Sequence, residues 1–101
     1  MTRKALKTVA KNYVYMLRCA DGSFYTGWTT DLSARVRAHN GEGKAGAKYT
    51  RSRRPVALAY FEEYEDSGAA KRRECAIKRM TRAEKEMLVK AAPLLKDGEE
   101  K

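Results

Sequence analysis

Five polar residues stand out in this chain by their type and spacing: Tyr15, Tyr25, Arg35, His39 and Glu74. The two tyrosines lie in one predicted hairpin, Arg35 and His39 are four residues apart on the next predicted helix, and the carboxylate is isolated in a cationic segment. A carboxylate can bind a metal ion, a guanidinium can grip a phosphate, and His or Tyr can position or deprotonate water. Together these groups favour hydrolysis of a phosphodiester bond.

The charge of the chain is unevenly distributed. Its 101 residues carry 22 Lys and Arg against 13 Asp and Glu, a net charge of +9. Residues 41–55 and 67–82 are strongly cationic, whereas 56–66 has four acids and no cation. Two basic segments flanking an acidic one indicate a positive face, whose commonest partner is a phosphate backbone. A solubility role or contact with an anionic membrane is the alternative.

Length and composition predict one small domain over residues 12–91, with a basic flexible tail at 1–11 and a second flexible tail at 92–101. Cys19 and Cys75 have no paired spacing, and one His cannot complete a zinc site with them. No apolar run approaches 18 residues and no stretch fits a signal peptide. We therefore expect a cytoplasmic protein that makes no use of a membrane.

The hydrophobic pattern predicts the order β-β-α-β-α-α, an α/β fold with helices flanking a three-stranded antiparallel or mixed sheet. The predicted strands are Asn12–Arg18, Phe24–Thr29 and Val56–Glu63. Helices are predicted from Thr30 or Asp31 to Gly41, from Asp66 or Ser67 to about Met80, and from Thr81 to about Ala91. Residues 41–55 are predicted as one long basic loop.

The helix after the hairpin carries two stripes. Leu32 and Val36 are predicted to face the core, and Arg35 and His39 share an adjacent face. The polar pair is therefore expected at the edge of the buried surface, where a cleft can form. The alternatives are a solvated surface cation for Arg35 and a partner of the helix dipole for His39.

The hairpin resembles the motif pair of the GIY-YIG nuclease superfamily. Tyr13-Val14-Tyr15 is followed, ten residues after its last tyrosine, by Tyr25-Thr26-Gly27. The likeness continues through Arg35, His39 and Glu74 and covers residues 12–90. Residues 17–23 and 46–51 resemble more narrowly the small stand-alone bacterial branch of that superfamily (UPF0213-like).

The chain departs from the family pattern at two positions. Tyr13 stands where the family name has Gly, a position that is mostly structural. Glu86 stands where some relatives have an Asn, so any role of that Asn is absent here or supplied differently.

The register of the hairpin decides whether its tyrosines can cooperate. With a two-residue Asp21-Gly22 loop, Tyr25 would lie opposite Arg18 and face away from Tyr15. With a three-residue Ala20-Asp21-Gly22 loop, it lies opposite Leu17. We predict the second arrangement, in which Gly27 lies opposite Tyr15, because only that arrangement builds a site.

The resemblance implies a metal-dependent endonuclease acting on DNA, directed to single strands or to particular structures. Glu74 would hold a single Mg²⁺ or Mn²⁺ ion. Tyr25 would act as the general base or orient the attacking water, supported by Tyr15 and His39, and Arg35 would stabilise charge on the phosphoryl oxygens.

Two alternatives concern the carboxylates. Glu74 can instead form an i,i+4 ion pair with Lys78. A rival acidic cluster is formed by Glu62, Glu63, Glu65 and Asp66.

The basic segments supply candidate contacts to nucleic acid, with DNA expected in preference to RNA. They are Lys44, Lys48, Tyr49, Arg51, Arg53, Arg54, Lys71, Arg72 and Lys78. Relatives of this fold often take specificity from an attached domain, so a protein partner is a further candidate. The competing interpretations are a non-catalytic DNA- or RNA-binding module and a protein-interaction domain that uses residues 56–66.

Overall fold

Three antiparallel strands form the sheet, in the order β2-β1-β3. A computed structural model describes residues 11–42 and 47–92. The strands are β1 (Asn12–Arg18), β2 (Phe24–Thr29) and β3 (Ala57–Tyr64). The predicted α/β fold is confirmed, with β3 shifted by one residue from its predicted bounds, and the sheet is wholly antiparallel.

Helices flank this sheet: α1 (Leu32–His39), α2 (Lys48–Arg51), α3 (Ser67–Lys78) and α4 (Arg82–Ala91). Of the N-cap candidates, Asp31 caps α1 and Asp66 caps α3. Their carboxylates accept hydrogen bonds from backbone N–H groups in the first turn of each helix. The predicted capping box at Thr81 and Glu84 is present.

Two further differences from the sequence prediction concern the helices. The segment predicted as a long loop contains α2, a single turn capped by Ser52. Helix α3 ends at Lys78 rather than near Met80, because Arg79 already has the geometry of a C-cap. Gly41 follows α1 with φ of +105°, a conformation that glycine adopts without the strain of a side chain.

The central strand β1 is buried on both faces, so its alternate residues belong to two separate clusters. One cluster contains Val14, Met16, Tyr60, Ala70 and Ile77, and the other contains Tyr15, Leu17, Cys19 and Val56. Helices α3 and α4 cover the first face, and α1 covers the second. In the part of the chain that the structure describes, strand β2 lies at the edge of the sheet, with β1 as its one neighbouring strand.

Several predictions fall outside the described residues. These are almost all of both predicted tails, at 1–11 and 92–101, together with residues 43–46, which include Lys44. Within 11–42 and 47–92, no helix has the length and apolar character needed to cross a membrane.

Candidate functional site

The hairpin adopts the predicted register. Leu17 pairs with Tyr25, and Tyr15 pairs with Gly27. Residues 20–22 form the three-residue loop, in which Gly22 takes a positive φ of 86°. Tyr15, Tyr25 and the backbone of Gly27 therefore share one face of the sheet, the face covered by α1.

Gly27 makes room for the hydroxyl of Tyr15. A Cβ atom built on this glycine would lie 2.5 Å from Tyr15 Oη and 2.7 Å from its Cζ. The absence of a side chain at this point of β2 is therefore a steric requirement of the tyrosine opposite it. This contact explains why the motif Tyr25-Thr26-Gly27 ends in a glycine.

Tyr15 is fully buried and its hydroxyl oxygen lies 2.9 Å from Nε2 of His39. Burial, with the neighbouring Tyr25, raises the pKa of Tyr15 to about 12. Arg35 opposes this shift and Glu74 adds to it, so both side chains lie within electrostatic reach of the same hydroxyl. The hydroxyl of Tyr15 is therefore influenced by the other four predicted site residues.

His39 is only 1% exposed, so it lies in the core and not at the edge of a cleft as predicted. Its hydrogen-bond partner across the site is Tyr15. Burial, together with the charges of Arg35 and Arg54, lowers the pKa of His39 below its usual 6.5. The ring is therefore neutral at neutral pH and can accept a proton.

Tyr25 contributes to an aromatic stack beside this pair. Its ring centroid lies 4.9 Å from that of His39 and 5.8 Å from that of Tyr49. The guanidinium of Arg53 lies 3.9 Å from the centre of the Tyr49 ring. Tyr25 is partly exposed, whereas Tyr15 is fully buried.

Glu74 projects from α3 with a side chain that is 20% exposed. Its alternative partner is present, since Lys78 Nζ lies 3.1 Å from Glu74 Oε2. No group of three His, Cys, Asp or Glu residues within 11–42 and 47–92 could hold a metal ion. A metal at Glu74 would therefore take its other ligands from water and substrate, an arrangement that Mg²⁺ accepts. The donor set fits a hard divalent ion.

The rival acidic cluster is largely committed to other contacts. Glu62 accepts hydrogen bonds from the hydroxyls of Tyr60 and Tyr64 and pairs with Arg73 at 2.9 Å. Lys11 pairs with Glu63, and Asp66 caps α3. These roles explain three of the four acids without a metal. Glu86, which replaces the Asn of some relatives, pairs with Arg18 at 3.0 Å and Arg82 at 3.3 Å.

The two basic segments lie on opposite faces of the sheet and approach each other at β2. From α3, Lys71 lies 4.9 Å from the centre of the Trp28 ring on β2. From the other face, Tyr49 of α2 lies against Tyr25 on the same strand. Each basic segment therefore contacts β2 from its own face of the sheet.

The predicted nucleic-acid contacts differ in their availability. Lys48, Arg51, Lys71, Arg72 and Lys78 are exposed. Two further arginines hold the segment in place: Arg53 pairs with Asp21 at 3.0 Å, and Arg54 Nε donates to the carbonyl oxygen of His39 at 2.7 Å. Arg53 and Arg54 therefore also stabilise the local structure. The pattern of basic residues in the sequence did not separate them from the exposed cations.

Sequence reasoning missed two residues that organise the site. Thr50 is fully buried and its Oγ1 lies 2.9 Å from Nδ1 of His39. Asn40 links the end of α1 to the start of β3, because its side chain accepts from Val56 N at 2.7 Å and donates to Val56 O at 2.9 Å. The only sequence signal for Thr50 was its place in the motif at 46–51.

Comparison with known proteins agrees with this geometry. Residues 11–87 match the family model of the GIY-YIG catalytic domain. The chain is 49% identical over 85 residues to a UPF0213 protein of Syntrophus aciditrophicus, covering 84% of this chain and 97% of that protein. It is 48% identical over 90 residues to a UPF0213 protein of Clostridium perfringens, covering 89% and 95%.

Two solved protein structures resemble this chain in fold and in sequence. The solution NMR structure of a UPF0213 protein from Bacillus halodurans matches with a TM-score of 0.53 at 42% identity. A protein from E. faecalis, also solved by NMR, matches with a TM-score of 0.55 at 41% identity. Each match covers 80% of this chain and 84% of the other.

Proposed function

Since the chain belongs to the GIY-YIG catalytic-domain family, we propose that it is a divalent-metal-dependent endonuclease that hydrolyses phosphodiester bonds in DNA. The strongest support is the convergence of separate chain segments on one hydroxyl. Tyr15 on β1 forms a hydrogen bond with His39 on α1, and its pKa responds to Tyr25 on β2, Arg35 on α1 and Glu74 on α3. Packing alone gives no reason to bring a base, a cation and a carboxylate to the same place.

Arg35 supplies the fixed positive charge of the site. Its guanidinium stays protonated throughout a reaction and can contact two phosphoryl oxygens at once. It is partly buried, which preserves the strength of its field. Loss of such a preorganised charge typically slows a reaction by about 10²–10³-fold.

Tyr25 is the group that we assign to the attacking water. Tyr25 is partly exposed, whereas burial raises the pKa of Tyr15 and keeps that second tyrosine protonated. Tyr15 and His39 form a buried hydrogen-bonded pair, and the Tyr25 ring packs against the His39 ring of that pair. These two residues are positioning groups in this scheme.

Glu74 would hold the divalent ion, Mg²⁺ or Mn²⁺. When bound, such an ion supplies charge neutralisation at the scissile phosphate. The single carboxylate leaves coordination positions for substrate oxygens, and the cations around it on α3 attract the polyanion. Lys78 currently pairs with Glu74 and would be displaced.

Single-stranded or branched DNA suits the surface beside the site. Helices α2 and α3 both carry exposed cations and contact β2 from opposite faces, α2 through the Tyr49 ring against Tyr25 and α3 through Lys71 over Trp28. Cations beside stacked aromatic rings are typical of surfaces that bind unpaired strands. A protein partner supplying specificity is compatible with this surface.

The alternative is a module that binds DNA or RNA without cutting it. The exposed cations of α2 and α3 would serve binding in either case. A pure binder has no need of Glu74 on a cationic helix, because a carboxylate there repels the phosphate backbone.

The test is cleavage of labelled single-stranded, duplex and branched DNA in Mg²⁺ or Mn²⁺. Wild-type protein is run beside Glu74→Gln and Tyr25→Phe, which change one functional group each and keep the shape of the side chain. We expect cleavage that requires the metal, stops in chelator and is lost in both variants.

Two matched controls accompany these variants. Glu65→Gln removes an exposed acid of the rival cluster, and Tyr13→Phe removes a hydroxyl from a tyrosine that packs against Phe61. Both should cleave as wild type does. Wild-type protein that binds the DNA but never cuts it would instead establish the binding module.

A further inference from the structure

His39 is held between two hydroxyl groups, one on each ring nitrogen. Nε2 lies 2.9 Å from Tyr15 Oη, and Nδ1 lies 2.9 Å from Thr50 Oγ1. A second group also approaches Nδ1, since the backbone N–H of Ala47 points at it from 3.3 Å. A neutral imidazole has one donor and one acceptor nitrogen, so only one assignment of protons can hold at a time.

The hydroxyl of Tyr15 decides between the two assignments. Tyr15 is fully buried, so its proton needs an acceptor inside the protein. Arg35, whose charge also acts on this hydroxyl, has donors only. Within the described residues, Nε2 of His39 is the acceptor at hydrogen-bond distance, and it must therefore be unprotonated.

The other side of the ring agrees with this assignment. Thr50 is also fully buried, and its hydroxyl donates to the carbonyl oxygen of Ala47 at 3.0 Å. A lone pair of Oγ1 is then available to accept from Nδ1–H. The donors run in one direction, from Tyr15 to His39, from His39 to Thr50 and from Thr50 to the backbone. The Ala47 N–H, 3.3 Å from Nδ1, loses its ring acceptor in this assignment and is the one contact among the described residues that favours the opposite tautomer.

We propose that Thr50 is a positioning residue that holds His39 in the Nδ1–H tautomer and thereby commits the Tyr15 proton to Nε2. In the opposite tautomer, Nε2–H would donate to Tyr15 Oη, and the tyrosine proton would lack a buried acceptor. The hydroxyl at position 50 therefore determines the direction in which the Tyr15 hydroxyl points, although Thr50 does not contact that tyrosine.

The tautomer can be measured without any assay of cleavage. His39 is the only histidine of the chain, so ¹⁵N-histidine labelling gives one pair of ring nitrogens. Their ¹⁵N chemical shifts distinguish the protonated from the unprotonated nitrogen. We expect Nδ1–H in the wild type, Nδ1–H in Thr50→Ser, and a shift to Nε2–H in Thr50→Val, where Ala47 N–H becomes the partner of Nδ1.

Ser52→Ala is the control, because it removes a hydroxyl from an exposed residue two positions away. It should leave the tautomer unchanged. If Thr50→Val does not fold, Thr50→Ala provides a second variant without the hydroxyl. A wild-type protein in the Nε2–H form would overturn the proposal, as would a folded hydroxyl-free variant that keeps Nδ1–H.

The consequence for cleavage rests on the proposed nuclease function, whereas the tautomer does not. In an active nuclease, Thr50→Val should lower kcat by about 10–100-fold, the range found when a group that orients a histidine from behind is removed. DNA binding should stay unchanged, and Thr50→Ser should restore the rate to within a few-fold. If the tautomers behave as stated but wild type does not cut, the nuclease function fails and the role of Thr50 stands.

Discussion

The hydroxyl of Tyr15 lies over the backbone of Gly27, at a position where a side chain on that residue would collide with it. A Cβ atom at position 27 would lie 2.5 Å from Tyr15 Oη. This contact joins the two halves of the hairpin motif. Because Tyr15 is also held by His39, its ring has little freedom to move aside.

Gly27→Ala should therefore damage the site and the fold together. We expect a loss of stability of about 1–3 kcal/mol, as for other overpacked buried positions, and a large loss of cleavage. Thermal unfolding and a cleavage assay measure the two effects. Gly68→Ala is the matched control, because a Cβ there meets nothing closer than 3.4 Å and the residue lies on a helix. Equal stabilities of the two variants would contradict the steric explanation.

Glu62→Gln should weaken the attachment of α3 to β3. The carboxylate accepts hydrogen bonds from Tyr60, Tyr64 and Arg73, and a neutral amide cannot serve all three. We expect a loss of about 2 kcal/mol in the free energy of unfolding at pH 7, as for hydrogen bonds to a charged group. Urea unfolding provides the measurement.

The effect of Glu62 should depend on pH in a defined direction. Burial alone would raise its pKa, but hydrogen bonds from Arg73, Tyr60 and Tyr64 outweigh burial and leave the pKa below the usual 4.5. A lowered carboxylate pKa contributes stability above that usual value, and the contribution is lost as the pH falls through the folded-state pKa. The difference between wild type and Glu62→Gln should shrink below about pH 4.5. Glu63→Gln, which changes an exposed acid, should show no such dependence.

The pKa of His39 should rise when Arg54 is removed. Burial lowers this pKa first, followed by the charges of Arg35 and Arg54. Arg54→Met deletes one of these charges and the hydrogen bond to the carbonyl oxygen of His39. An NMR titration of the single histidine measures the midpoint. Arg51→Met, which removes an exposed cation of α2, should leave the midpoint in place.

The same lowered pKa gives the wild-type protein a second pH dependence. The unfolded chain binds a proton at this histidine near pH 6.5, whereas the folded protein does not. The contribution of His39 to stability is therefore complete above about pH 6.5 and is lost as the pH falls through the folded-state pKa. His39→Gln should remove this component from a series of unfolding curves between pH 7 and pH 5. An unchanged pH dependence in that variant would contradict the assignment.

DNA binding should weaken when the exposed cations beside β2 are removed. Lys48→Ala and Arg51→Ala should each lower the affinity for single-stranded DNA and reduce the slope of log K against log salt by about 0.7 per lost phosphate contact. Fluorescence anisotropy at several salt concentrations measures both quantities. Lys90→Ala is the control, since this exposed lysine lies on α4, which covers the other face of the sheet. A slope that falls equally in all three variants would point to a diffuse charge effect and not to a defined surface.

Local pattern was sufficient for the register of the hairpin and for the placement of Arg35 and His39 on one helix. The turn residues at 20–22 set the register of β1 and β2, since a one-residue change would have turned Tyr25 to the other face. The spacing of Arg35 and His39 placed both on one side of α1. These relationships lie within one element or between strands joined by a short turn, where sequence distance determines spatial distance.

Only the tertiary structure decided the partners of the buried groups. It paired His39 with Tyr15 and Thr50, assigned Glu62 to Arg73, and placed the basic segments on opposite faces that meet at β2. Such contacts join segments that are distant in the chain, and their geometry depends on how helices pack on the sheet. Local sequence therefore determined the register of the hairpin and the spacing along α1, and packing determined how the protons and charges of the buried groups are arranged.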